Sequence, residues 1–118
     1  MYNYNFRTLE LVNGQMELLI EFEDKSKSII STFLESDVQA FGRSYALEAI
    51  DKVLNGKSEY EELNGNVCGV EIHKDMTQIY DNLAEDGMGN WCEIETKELR
   101  ELVEIWCIEL KKFKGQHK

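Results

Sequence analysis

No stretch of this chain constrains its fold more than residues 15–24, QMELLIEFED, where Met16, Leu18, Ile20 and Phe22 alternate with Glu17, Leu19, Glu21 and Glu23. A side-chain period of two puts the first set on one face of a β-strand and the second on the other. One face is oily and the other mostly acidic. Such a strand belongs in an antiparallel sheet with one face in solvent, and its oily face needs a covering layer of helix.

Residues 5–12 (NFRTLELV) read as a preceding strand, and the Asn13-Gly14 pair is the favoured signal for a two-residue hairpin loop between them. Residues 28–34 (SIISTFL), rich in β-branched and aromatic side chains, read as a third strand after a turn at 23–26. Ser36-Asp37-Val38-Gln39 matches a capping box and predicts a helix over 37–54, with an apolar stripe through Val38, Phe41, Tyr45, Ala46, Ala49, Ile50, Val53 and Leu54. Asn55-Gly56 stops it. Residues 59–63, the pair Asn64-Gly65 and residues 66–73 repeat the hairpin device, and Lys74-Asp75 leads to a strand at 76–81. Residues 82–90 (NLAEDGMGN) read as a surface loop and 91–94 as a short edge strand. Thr96 then caps a helix over 97–112, whose stripe of Leu99, Leu102, Val103, Trp106, Leu110 and Phe113 is widened by Ile105 and Ile108, with Gly115 to end it. The expected class is α+β: an antiparallel sheet of five to six strands, in the order βββα-ββ(β)α, packed against two helices. Residues 1–118 are expected to form one domain with a frayed tail at 114–118.

The chain carries 23 Asp and Glu against 13 Lys and Arg, a formal charge of −10. Four of the lysines fall in the closing KKFKGQHK, so the acidity lies in the body of the chain. That charge repels nucleic acid and anionic lipid, so contact with neither is expected. Two roles for it stay open, a solubilising surface and a docking surface for a basic protein. No signal peptide or apolar run of membrane-spanning length is apparent, and the expected location is the cytoplasm. There Cys68, Cys92 and Cys107, an odd number at wide spacing, would stay reduced.

No residue pattern specifies a reaction. His73 and His117 stand apart, and no CxxC, HxxxH or calcium-loop spacing occurs, so neither a metal nor another cofactor is expected. Cys68 and His73, five apart on one strand, point to opposite faces. Gly87-Met88-Gly89 is bounded by acids and a tryptophan, which suits no phosphate. Phe41, Tyr45, Trp91 and Trp106 fall on apolar stripes without basic neighbours and read as core. The candidate partner-binding residues are therefore acidic: Glu10, Glu17, Glu21, Glu23 and Asp24 on the first hairpin, with Glu59, Glu61, Glu62, Glu85 and Asp86 on two loops. The same charges would also discourage edge-to-edge pairing of strands.

The run Gly65-Asn66-Val67…Glu71-Ile72-His73-Lys74-Asp75-Met76-Thr77-Gln78-Ile79, with the closing Glu95-Thr96…Leu99…Leu102-Val103…Trp106, resembles small acidic bacterial immunity proteins of polymorphic toxin systems, including the contact-dependent growth-inhibition type. The resemblance spans nearly the whole chain and lies in size, acidity and layout. It implies a protein without catalytic activity that binds a cognate toxin domain, often a basic nuclease, and neutralises it by stoichiometric blocking. It transfers no functional residue, because such interfaces differ from pair to pair. Two other readings remain: a small acidic regulatory or oligomeric interaction domain, favoured by a large exposed apolar patch, and a small enzyme, favoured by a pocket around His73 or Cys68.

Overall fold

In the computed structural model, the structure describes residues 3–38, 43–64, 67–81 and 91–116. Strand β1 (Tyr4–Glu10) and strand β2 (Met16–Phe22) are followed by a 3-10 turn (Lys25–Lys27) and helices α1 (Ser28–Asp37) and α2 (Arg43–Leu54). Strands β3 (Tyr60–Asn64), β4 (Cys68–His73), β5 (Met76–Asp81) and β6 (Trp91–Glu95) precede the long helix α3 (Thr96–Gln116). The class is α+β, as expected. The strands nevertheless divide between a two-stranded antiparallel sheet, β1-β2, and a four-stranded antiparallel meander, β3-β4-β5-β6, with three described helices rather than two.

The extra helix is the stretch read as a third strand. Ile29, Ile30, Phe33 and Leu34 are all buried, and that spacing is one face of a helix. In a strand Ile29 and Ile30 would point to opposite faces, so burying all four together outweighs the β-branched propensity of SIISTFL. The capping-box pattern moves with it. Ser36 lies inside α1, and the Val38 N–H closes that helix on the Phe33 carbonyl at 3.2 Å. Helix α2 therefore does not begin there, and residues 39–42 lie outside the described set. Its later part behaves as expected: Ala46, Ala49, Ile50 and Val53 are buried, and the chain leaves the helix through Gly56 at φ +78°.

The first hairpin differs in a smaller way with larger consequences. The Leu11 N–H bonds the Gln15 carbonyl at 2.7 Å, and the Gly14 N–H bonds the Leu11 carbonyl at 2.9 Å, enclosing three loop residues rather than two. Gly14, at φ +85°, supplies the left-handed position that such a loop needs. The resulting register sets Phe6 opposite Ile20 and Tyr4 opposite Phe22. Ile20 and Phe22 are buried against α1, and Phe6 stacks near the Trp106 ring with centroids 6.4 Å apart. The oily face of QMELLIEFED thus finds its cover in α1, while its partner strand reaches α3 through Phe6.

The inner face of the meander buries Cys68, Val70, Ile72, Thr77, Ile79, Cys92 and Ile94 against the helices. Thr96 does not act as a simple cap. Its backbone N–H reaches the Asp75 carbonyl at 3.0 Å, while its buried hydroxyl donates to the His73 carbonyl. That uses its one proton, so Thr77 Oγ1, 2.8 Å away, donates to it. Leu99, Leu102, Val103, Trp106 and Leu110 form the buried stripe of α3, and the Trp106 indole N–H donates to the Val38 carbonyl at 2.7 Å. Ile108 is 55% exposed and lies off that stripe. Arg100 joins α3 to α2 through Asp51, with N–O 2.6 Å.

Candidate functional site

The structure separates the acidic residues that sequence placed together. On the hairpin, Glu17 and Glu21 project from the outer face and are exposed, as is Glu23 just beyond β2. Glu10 does not join them. It sits opposite Met16 and so on the other face, because the three-residue loop shifts the register by one from the two-residue loop expected. Arg7 lies on the outer face and pairs with Glu21 at 2.8 Å. Asp24 is bound up locally, accepting from the Ser26 N–H at 3.0 Å and its hydroxyl at 2.7 Å; these bonds hold its carboxyl below the usual range. Glu59 is exposed, Glu61 is half-buried beside the Ser58 hydroxyl at 2.8 Å, and Glu62 points the opposite way from Glu61. Glu85 and Asp86, with the rest of the 82–90 loop, lie outside the described residues, as do Gly65 and His117.

Glu62 belongs to a more organised surface, the outer face of the four-stranded sheet. The pairing places Tyr60, Glu62 and Asn64 of β3 beside His73, Glu71 and Gly69 of β4, then Met76, Gln78 and Tyr80 of β5, then Glu95, Glu93 and Trp91 of β6. Tyr60 and Trp91, at the two edges, are 39% and 51% exposed. Trp91 is therefore no core residue, since its parity puts it with Glu93 and Glu95 while Cys92 and Ile94 point inward. Tyr45, also expected inside, is 37% exposed on α2.

Hydrogen bonds order the middle of this face. The Tyr60 hydroxyl lies 2.7 Å from Glu62 Oε2 and 3.2 Å from Glu71 Oε1, and Asn64 Nδ2 donates to Glu62 Oε1 at 3.0 Å. The Tyr60 ring lies 5.0 Å from the His73 ring. Its bond to Glu62 raises the Tyr60 phenol well above the usual tyrosine range and, with the Asn64 donor, lowers the Glu62 carboxyl. Tyr80 is raised by partial burial and by the nearby Glu62 and Glu71 charges. Its ring lies across Gly69: a Cβ there would meet the ring at 2.4 Å. Glycine on a strand leaves a gap that an aromatic ring can cover, and Tyr80 fills this one. Gln78 Nε2 reaches Glu93 Oε2 at 3.4 Å.

Apart from Glu62, these residues were not singled out from sequence as a binding site. The signal was the same alternation that marks QMELLIEFED, present as Tyr60-Glu62-Asn64 and Trp91-Glu93-Glu95, but it becomes a surface only once four strands are paired.

The structure sets apart the two residues considered for a nucleophilic pair. Cys68 is buried on the inner face and His73 is exposed on the outer one. Burial pushes the Cys92 thiol up to about 11. Among the described residues no group of His, Cys, Asp and Glu could hold a metal, and no helix is long and apolar enough to cross a membrane. A groove of about 260 Å³ between β2 and α1 is lined by Arg7, Ile20, Phe22, Ser28, Ser31 and Glu35. There the Glu35 carboxylate accepts the Ile20 N–H at 2.9 Å, with partial burial raising its pKa. It lies away from both Cys68 and His73.

The described residues thus form an α+β module whose four-stranded sheet carries an ordered outer face of rings and carboxylates. No family model matches the chain, and no solved structure matches it. A Bacillus cereus (strain ATCC 14579) protein named Immunity protein is 48% identical over 118 residues, spanning 99% of this chain and 96% of the relative. The chain belongs to the family of that immunity protein.

Proposed function

We propose that this protein neutralises a cognate toxin by binding it stoichiometrically in the cytoplasm, and that the toxin domain is a basic nuclease. The immunity-protein relative matched from end to end carries the reading. The formal charge of −10 supports the basic partner. An acidic protein attracts a basic domain over long range and speeds encounter, which favours an inhibitor that must arrive before damage is done. Glu10, Glu17, Glu21, Glu23, Asp24, Glu59, Glu61, Glu62, Glu85 and Asp86 all contribute to that field, whichever of them touches the toxin. The protein itself needs no catalytic group or cofactor for this role. It acts by occupying the toxin's active site or substrate surface.

Expression of the reading frame immediately upstream tests the proposal. That product should arrest growth when made alone, degrade nucleic acid in vitro, and lose both effects when this protein is supplied at one copy per toxin. Harmless growth without this protein, or toxicity that persists in its presence, would refute it.

A further inference from the structure

We infer that the outer face of the four-stranded sheet is the toxin-docking surface, and that it receives an arginine- or lysine-bearing patch of the toxin domain between Tyr60 and Trp91. The inference rests on the neutralisation reading above and adds which surface acts and what chemistry it recognises.

Local charge is the first argument. Twelve positions share this face, among them four carboxylates, Glu62, Glu71, Glu93 and Glu95, and no lysine or arginine. None of these four carboxylates is in an ion pair among the described residues. On the outer face of the hairpin, by contrast, Arg7 already offsets Glu21. Glu17 and Glu23 of the hairpin are likewise outside any ion pair among the described residues, so the sheet is distinguished by gathering four such carboxylates on one face, and the Lys27 ammonium meets its β6 edge at the Glu93 main-chain carbonyl, 2.9 Å away.

Ring placement is the second. Tyr60 and Trp91 present partly exposed rings beside those carboxylates, and Tyr80 is pinned between them over Gly69. Tyrosine and tryptophan lose little side-chain freedom on binding, and a guanidinium can stack on a ring while bonding to a carboxylate at its edge. Tyr60 is preset for this role, since its hydroxyl bridges Glu62 and Glu71.

Elimination of other occupants is the third. A second copy of this chain docked through the same face by two-fold symmetry would set four carboxylates against four. Nucleic acid and anionic lipid are repelled by the same charges. A cationic protein surface is the complement.

Affinity for the purified, catalytically silenced domain encoded immediately upstream tests this, measured by calorimetry with circular dichroism and thermal melts to verify each fold. Glu71→Lys with Glu93→Lys should raise Kd at least about 100-fold, and Trp91→Ala about 10-fold or more, within the range of anchor residues at interfaces. Glu93→Lys with Glu95→Lys, both exposed on the edge strand, should do the same if the first pair disturbs folding. The hairpin pair Glu17→Lys and Glu21→Lys weakens the long-range field without touching the docked surface, so its loss of affinity should be at most about a tenth of that of the sheet pair and should lie in the association rate. Wild-type binding that survives both sheet double variants overturns the assignment while leaving neutralisation intact. A wild-type protein that does not bind the domain overturns neutralisation, and the docking surface with it.

Discussion

Trp106 joins three parts of the fold, and its replacement tests whether that joint is a hydrogen bond or only a packed ring. Its side chain is 1% exposed on α3, its indole N–H donates to the carbonyl of Val38 at the end of α1, and the Phe6 ring of β1 stacks beside it. Two replacements separate the contributions. Site-specific incorporation of 3-benzothienylalanine at position 106 retains the bicyclic shape and removes the donor, leaving the carbonyl of fully buried Val38 without this bond. Stranding a buried polar group costs about 1–3 kcal/mol. Trp106→Phe loses the donor and also part of the ring, adding about 1 kcal/mol of lost apolar burial, for a total of about 2–4 kcal/mol. With a urea slope of about 1.5 kcal/mol/M for a chain of this size, the isostere should lower the unfolding midpoint by about 1 M and phenylalanine by about 2 M. Equilibrium urea unfolding followed by far-ultraviolet circular dichroism reads both without relying on indole fluorescence. An isostere as stable as the wild type, alongside a destabilised phenylalanine variant, would show that packing alone holds the joint and that the Val38 bond contributes nothing.

Glu35 makes a pH-dependent prediction. Burial raises its folded pKa above the unfolded value near 4.5 despite the bond from the Ile20 N–H. The native state therefore holds its proton more tightly, a stability gain complete below the unfolded pKa and lost as pH rises through the folded one. Glu35→Gln keeps an acceptor for Ile20, so it should be neutral or stabilising by less than about 1 kcal/mol at pH 7 and flatten the melting-temperature profile across that acidic window; a loss above about 1 kcal/mol at pH 7 would contradict this. Gly56→Ala, forced to φ +78°, should cost about 1 kcal/mol in urea unfolding, and an unchanged midpoint would show that the α2 exit adapts. Iodoacetamide should modify half-buried Cys107 first, while Cys68 and Cys92, both buried and the latter with its thiol pKa near 11, react on the timescale of unfolding; mass spectrometry of native-state digests showing equal rates would refute the placement.

What sequence made legible depended on whether an element's periodicity was consulted before its propensity. The α3 stripe of Leu99, Leu102, Val103, Trp106 and Leu110 was readable, because its spacing and composition agree. At residues 28–34 they disagree: Ile and Thr favour a strand, but positions 29, 30, 33 and 34 define a helix face, and burial follows the face. That one reassignment removes a strand from the expected sheet and leaves β1 and β2 as a separate pair. The Ser36 capping box failed for a related reason, since its hydroxyl and glutamine spacing also fits the end of a helix already under way.

Glu10 illustrates what lies beyond single strands. Loop length sets whether residue 10 faces 16 or 17, and this one-residue choice decides whether its carboxylate joins the acidic face. The Asn-Gly pair favours the shorter loop; burial of Tyr4 and Phe6 beside Phe22 and Ile20 requires the longer one, and the core prevails. The same logic redistributes the charge of the chain. Bases near the acids are consumed in pairs, Arg7 by Glu21 and Arg100 by Asp51 and Glu104, whereas Glu62, Glu71, Glu93 and Glu95 keep theirs unpaired among the described residues. A partner responds to that local remainder more than to the total, because salt screens charges beyond about 8–10 Å. The acidity read first from QMELLIEFED thus becomes a statement about a different surface: β2 supplies core on one face and a partly neutralised exterior on the other, while the meander presents unpaired carboxylates beside exposed rings.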